Sequence, residues 1–125
     1  MGLEFKSIRK LSDLEKLVSI LYRRGLPYGF DLETTGLNSW RDTIVGASIA
    51  WDASGAVYIP IAHQYDQPFN GQEALGLLKP LLEGIPFVAH NLSFETLFLK
   101  AVNIIPHKDC YDSRVMAFVK ACYSS

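Results

Sequence analysis

Apolar positions recur at two different periods along this chain, and the switch between them outlines the fold. Leu11, Leu14, Leu17, Val18 and Leu21 fall at helical spacing, one stripe on a 3.6-residue period. The spacing predicts a helix over Asp13–Arg24, opened by a Ser12 cap with Glu15 three residues on as a capping box. Gly25 is a natural stop, because glycine takes the left-handed conformation that ends helices. The period then changes to two. A strand is predicted over Tyr28–Glu33, ended by the turn chemistry of Thr34-Thr35-Gly36, and two more over Ile44–Trp51 and Ala56–Ile61. Val45, Ala47, Ile49 and Trp51 alternate on one face, as do Val57, Ile59 and Ile61, with Asp52-Ala53-Ser54-Gly55 as the hairpin between them. Three strands in a row imply an antiparallel start to the sheet.

The second half alternates helix and strand. Gln72–Leu82 reads as a helix with Ala74, Leu75, Leu78 and Leu81 or Leu82 inward. Pro80 should bend or break it, since proline lacks an N–H and crowds the carbonyl of Gly76. Phe87-Val88-Ala89 is a short buried strand, Ser93–Val102 a helix, Lys108–Tyr111 a last short strand and Ser113–Cys122 a final helix. The order α-βββ-α-β-α-β-α defines an α/β class, with a mixed five-stranded sheet and helices on both faces.

Composition narrows this little. At 125 residues, 49% hydrophobic and 20% charged, the chain is sized and balanced for one compact domain spanning 1–125. No stretch approaches the roughly 20 apolar residues needed to cross a bilayer, and Met1-Gly2-Leu3-Glu4-Phe5-Lys6 lacks the layout of a signal peptide. Cys110 and Cys122 are not spaced as a metal-binding pair; read as reduced thiols, they suit a cytoplasmic setting. The net charge of -1 gives no global basic field for nucleic acid. That leaves open an enzyme that meets phosphates through bound cations.

The candidate chemistry begins in the first predicted strand. Asp31 and Glu33 lie two apart and point to one side, with Phe30 and Leu32 on the other. Two like charges on one face repel unless a proton or cation sits between them, and oxygen ligands of this kind suit Mg²⁺ or Mn²⁺. A half-exposed strand with polar residues facing water makes the same pattern. Glu95 shifts the balance. In the helix Ser93–Val102, Phe94, Leu97, Phe98 and Ala101 form one buried flank, and Glu95 heads the adjacent stripe with Leu99 and Val102. A carboxylate topping an apolar stripe is not an ordinary solvated group, although a first-turn acid is also favoured by the helix dipole.

Around these residues the chain resembles a known family. Phe30-Asp31-Leu32-Glu33-Thr34-Thr35-Gly36-Leu37 resembles the first motif of the DEDD-type 3′→5′ exonucleases, whose metal site uses three Asp and one Glu. His90-Asn91-Leu92-Ser93-Phe94-Glu95 resembles their second motif, Asn-x-x-(Phe/Tyr)-Asp. Tyr58-Ile59-Pro60-Ile61-Ala62-His63, with Ala74–Leu82, is similar to the proofreading domain of family A (DNA polymerase I-type) polymerases in particular. The resemblance implies a ribonuclease H-like three-layer α/β/α fold and hydrolysis of 3′-terminal nucleotides, usually of DNA. It implies two cations, Mg²⁺ or Mn²⁺, about 4 Å apart, bridged by Asp31, with Glu33 holding one and Glu95 acting mainly through metal-bound water. It further implies contacts of Thr34, Leu37, Asn91 and Phe94 with the 3′ end of single-stranded DNA, and a DNA polymerase domain or subunit as neighbour.

Two departures stand out. Glu95 occupies the place of the usual Asp, one methylene longer. A third motif, Tyr or His a few residues before the last metal-binding Asp, is not recognisable. His107 and Asp112 have His-x-x-x-x-Asp spacing, which imitates one form of it; a turn or helix-cap role for Asp112 is the alternative. Three readings follow: an active exonuclease, an inactive relative that binds nucleic acid or scaffolds a polymerase, and a domain truncated at its C-terminus. His63 and His90 read as structural, because hard oxygen-rich sites rarely need imidazole. Trp40 and Arg41 could stack on a base and touch a phosphate, or form a surface loop with a partly buried Trp.

Overall fold

The structure, a computed structural model, describes residues 4–114 of the chain. Its elements are β1 (Glu4–Ser7), α1 (Leu11–Arg24), β2 (Tyr28–Thr34), β3 (Ile44–Asp52), β4 (Gly55–Pro60), α2 (Gly71–Gly84), β5 (Phe87–Ala89), α3 (Leu92–Ala101) and β6 (Tyr111–Asp112). The strands form one mixed sheet in the order β1-β4-β3-β2-β5-β6. β2, β3 and β4 make the expected antiparallel meander, while β1, β5 and β6 add on in parallel. The sheet thus has six strands rather than five. β1 is a four-residue edge strand whose own sequence carries no period; it exists because it pairs with β4. The final strand falls on Tyr111–Asp112 instead of Lys108–Tyr111. The helix expected over Ser113–Cys122 lies, beyond its first two residues, outside the described residues.

Strand pleating sorts the sheet into two faces. Tyr28, Phe30 and Leu32 of β2, Ala47 and Ile49 of β3, Val57 and Ile59 of β4, and Phe87 and Ala89 of β5 are buried in the main core with Leu14 and Leu21 of α1, Leu75, Leu78, Leu81 and Leu82 of α2, and Phe98 and Leu99 of α3. Asp31 and Glu33 stand on the other face, both exposed. The Tyr28 hydroxyl ties β2 to α2, its one proton shared between the carbonyls of Leu81 (3.2 Å) and Ile85 (3.3 Å).

Three local expectations need correction. α1 starts at Leu11, with Lys10 at the N-cap and no side-chain capping bond, so Ser12 lies inside the helix and makes no capping box. The Gly25 stop is as expected: its φ is +64° and its N–H donates to the Leu21 carbonyl. Pro80 does not break α2, which runs on to Gly84. Leu81 and Leu82 just beyond it are fully buried, and Pro80 itself faces solvent. Core packing holds the last turn against the proline's local cost. Pro80→Ala, which restores an N–H donor on an exposed position, should therefore raise stability by about 1–2 kcal/mol, read as a higher midpoint in urea. A lower midpoint would mean that the ring's own packing outweighs the missing bond. The third correction concerns α3, which buries Glu95, Phe98 and Leu99 and leaves Leu97 and Ala101 exposed. The inward side straddles the two stripes, taking Phe98 from one and Glu95 and Leu99 from the other, and Phe94 is half-buried against Phe98, ring centroids 4.8 Å apart.

Candidate active site

The site grows from the end of β2. The register Asp31↔Ser48 and Glu33↔Gly46, with the strand's alternation, places both carboxylates on the sheet face opposite Phe30 and Leu32. Two positions along a strand separate such side chains by about 7 Å. α3 begins beside them because Asn91 caps it, accepting from the Phe94 N–H at 3.3 Å. Asp112 of β6 adds a second support, accepting from the Leu92 N–H at 3.2 Å and from the Arg114 N–H at 2.9 Å. These bonds give Asp112 the helix-cap role. His107 is likewise engaged locally, its Nδ1 accepting from the Asp109 N–H at 3.0 Å.

So anchored, the first turn of α3 drives Glu95 into the protein. Glu95 is 2% exposed, a charged side chain in the buried interior. Its Oε1 accepts from the Leu32 N–H at 3.4 Å, while Oε2 is buried with no hydrogen-bond partner among the described residues. Burial pushes its carboxyl up to about 7; the Leu32 N–H opposes this, and the neighbouring Asp31 charge adds to it. An orphaned buried carboxylate oxygen is costly, and a second carboxylate beside it makes it more so. The arrangement is stable with a shared proton or with a cation.

Glu33 is held differently. Its Oε1 accepts from the Tyr58 hydroxyl at 2.9 Å, and the same hydroxyl oxygen is 2.7 Å from His63 Nε2. Burial and the Glu33 carboxylate push the Tyr58 phenol up to about 12. Tyr58 stands on β4, two strands from β2, and reaches Glu33 across Gly46 of β3, where an added Cβ would lie 2.0 Å from the hydroxyl. Tyr58, Gly46 and His63 are site residues that sequence reasoning missed. The segment Tyr58–His63 entered only as a mark of resemblance; the signal that would have found them is the glycine opposite Glu33, visible once the register is known.

The residues expected to meet a substrate lie around this pair. The Thr34 hydroxyl donates to the Gly36 carbonyl at 2.7 Å, so it stabilises the turn after β2. Leu37 is 87% exposed and shares an open groove with Leu97 of α3 and with Arg41. The loop between β2 and β3 is organised by Asp42, which accepts from the Asn38 N–H at 3.0 Å and the Thr35 hydroxyl at 3.3 Å and fills the space a Gly36 side chain would need. Trp40, on the same loop, is 95% exposed, so the partly buried tryptophan expected there is not what the structure has. Asn91 also accepts from Arg114 Nη2 at 3.0 Å. His90 Nδ1 lies 3.4 Å from Ser113 Oγ.

The donors fit a hard divalent cation in kind, all carboxylate oxygens with one buried oxygen left unpartnered among the described residues. They do not yet fit it in number. Among the described residues no group of three or more His, Cys, Asp or Glu side chains is close enough to hold an ion.

A mixed sheet whose central antiparallel strand carries paired acids, with a third acid on the helix following the neighbouring parallel strand, defines a ribonuclease H-like exonuclease fold. The family described as 3′-5′ exonuclease, the exonuclease domain of A-type DNA polymerases, matches residues 5–124, and the chain belongs to it. DNA polymerase I of Pseudomonas aeruginosa is 39% identical over 57 residues, 43% of this chain and 6% of that protein. The catalytic core of RRP6 from Trypanosoma brucei has the same fold at a TM-score of 0.71 and 15% identity, over 97% of this chain and 34% of that one. NrnC of Brucella melitensis, solved with bound Mg²⁺, matches at a TM-score of 0.62 and 20% identity, over 100% of this chain and 56% of its own. The chain thus spans little more than half of these relatives' length at most.

Proposed function

We propose that this chain removes nucleotides from the 3′ end of single-stranded DNA in a reaction that requires Mg²⁺ or Mn²⁺. The observation that carries the reading is Glu95: a buried carboxylate with one oxygen unpartnered among the described residues, beside the like charge of Asp31. Such a pair is relieved by a shared proton or by a bound cation, and a cation is what hydrolysis of a phosphodiester would use. Asp31, Glu33 and Glu95 would hold the cations, which when bound activate water and stabilise the leaving 3′-oxygen. The chain's own residues do the rest. Asn91 and Asp112 fix the start of α3 and hence Glu95. The groove between Leu37 and Leu97 offers an apolar wall for the terminal base, and Arg41 in the same groove offers a cation for phosphate. The match to a stretch of DNA polymerase I supports a polymerase domain or subunit as neighbour.

A second reading has one observation in its favour: among the described residues no three-ligand group is assembled. On that reading the domain binds single strands or scaffolds a polymerase without cutting. Purified chain incubated with 5′-labelled single-stranded DNA separates the two. The proposal expects a ladder of shortened products with Mg²⁺ or Mn²⁺ and none in chelator. Intact DNA under both metals, with salt-sensitive binding, would establish the second reading instead.

A further inference from the structure

The network around Glu33 has more partners than a strand carboxylate at a solvent-facing edge needs. Tyr58 crosses from β4 over Gly46, and its hydroxyl contacts both Glu33 Oε1 (2.9 Å) and His63 Nε2 (2.7 Å). A hydroxyl has one proton, and an ionised carboxylate can only accept. The Tyr58 proton therefore goes to Glu33, and His63 must donate its Nε2–H to the Tyr58 oxygen. The two contacts select one tautomer of His63. His63 is itself pinned, because its N–H donates to Gln67 Oε1 at 2.9 Å, while Gln67 Nε2 donates to the carbonyls of Pro60 (3.0 Å) and Phe69 (2.9 Å). The tyrosine ring packs edge-on to the imidazole, centroids 5.5 Å apart. A chain of directed bonds thus runs from the loop after β4, through His63 and Tyr58, to a single oxygen of Glu33.

We propose that Tyr58, oriented by His63, is a positioning residue for Glu33: its hydroxyl holds Oε1 and so fixes the carboxylate that would take a divalent cation. The inference rests on the metal-site reading above. Glutamate has one more rotatable bond than aspartate, and a free Glu33 would lose ordering entropy on taking a cation. A carboxylate already fixed by an outer partner does not, which is why such partners matter to metal sites. Gly46 is part of the device, since any side chain there would occupy the lane that Tyr58 uses.

The test is Mn²⁺ affinity of the full chain, followed by the paramagnetic resonance signal of free Mn²⁺, alongside kcat and KM on single-stranded DNA. Tyr58→Phe keeps the ring and removes the bond. It should weaken Mn²⁺ binding and lower kcat by about tenfold each, with KM for DNA and the melting temperature nearly unchanged. His63→Leu should shift affinity the same way, and His63→Gln, which keeps an N–H near the Nε2 position, should restore most of it. Wild-type affinity in both Tyr58→Phe and His63→Leu, in a chain whose Mn²⁺ binding is lost in Asp31→Asn, would overturn the inference and leave the metal site standing. Absence of Mn²⁺ binding in the wild type, or binding unaltered by Asp31→Asn, would overturn both.

Discussion

Asp31→Asn will leave the fold intact and sharply reduce 3′-end shortening. Asp31 is exposed on β2, its backbone is fixed by pairing with Ser48, and asparagine has nearly the same shape. The change removes a like charge next to buried Glu95, so stability should hold or rise slightly. What it removes from the site is one full negative charge at the position expected to bridge two cations. Cation stabilisation of the reacting oxygens is worth several kcal/mol, and each 1.36 kcal/mol is tenfold in rate. Activity should therefore fall by about a hundredfold to a thousandfold, with circular dichroism and melting temperature unchanged. If Asp31 were only the solvated side of a strand, the variant would cut as the wild type does.

The metal-free chain will be more stable at pH 5 than at pH 8. Burial, with Asp31 beside it, holds the Glu95 carboxyl at about 7 against an ordinary 4.5. Below 4.5 both folded and unfolded chains carry the proton, and its full contribution is present. Between 4.5 and 7 the unfolded chain releases the proton and the folded chain keeps it, so stability falls as pH rises, and the contribution is gone above 7. At 1.36 kcal/mol per pH unit the loss is about 3 kcal/mol. The carboxyls of Asp52, Asp66, Glu83 and Asp112 are lowered instead and act below this window, so they do not mask it. Urea unfolding in chelator at pH 5, 6, 7 and 8 measures the slope. Glu95→Gln should flatten it, and Mg²⁺ or Mn²⁺ should recover stability at pH 8 by taking the proton's place between the carboxylates. A flat profile in the wild type would mean that Glu95 is solvated.

Much of this was legible from local pattern. The alternation Phe30-Asp31-Leu32-Glu33 predicted which side each residue takes, and Glu95 stood out as an acid on an apolar stripe. What could not be read needed contacts between distant parts of the chain. β1 has no pattern of its own and forms because β4 offers an edge. Pro80 looked like a helix breaker because its local cost is visible in sequence, whereas the burial of Leu81 and Leu82 that overrides it is not. Leu97 and Ala101 of α3 were expected inward with Phe98, but both candidate stripes are apolar and only the packed sheet decides how much of each is buried. The Glu33–Tyr58–His63 network depends on the register of three strands and on a glycine in the middle one. Of the two readings of Trp40 the partly buried one fails, because the loop built around Asp42 turns the side chain fully outward.

The central claim is that the acids at the end of β2 and the start of α3 hold cations for 3′-end hydrolysis. The most direct measurement compares wild type and Asp31→Asn, purified in parallel, on one 5′-labelled strand with Mn²⁺. The account predicts a ladder of progressively shortened products from the wild type and uncut strand from the folded variant. Equal ladders from both, or none from either, would contradict it.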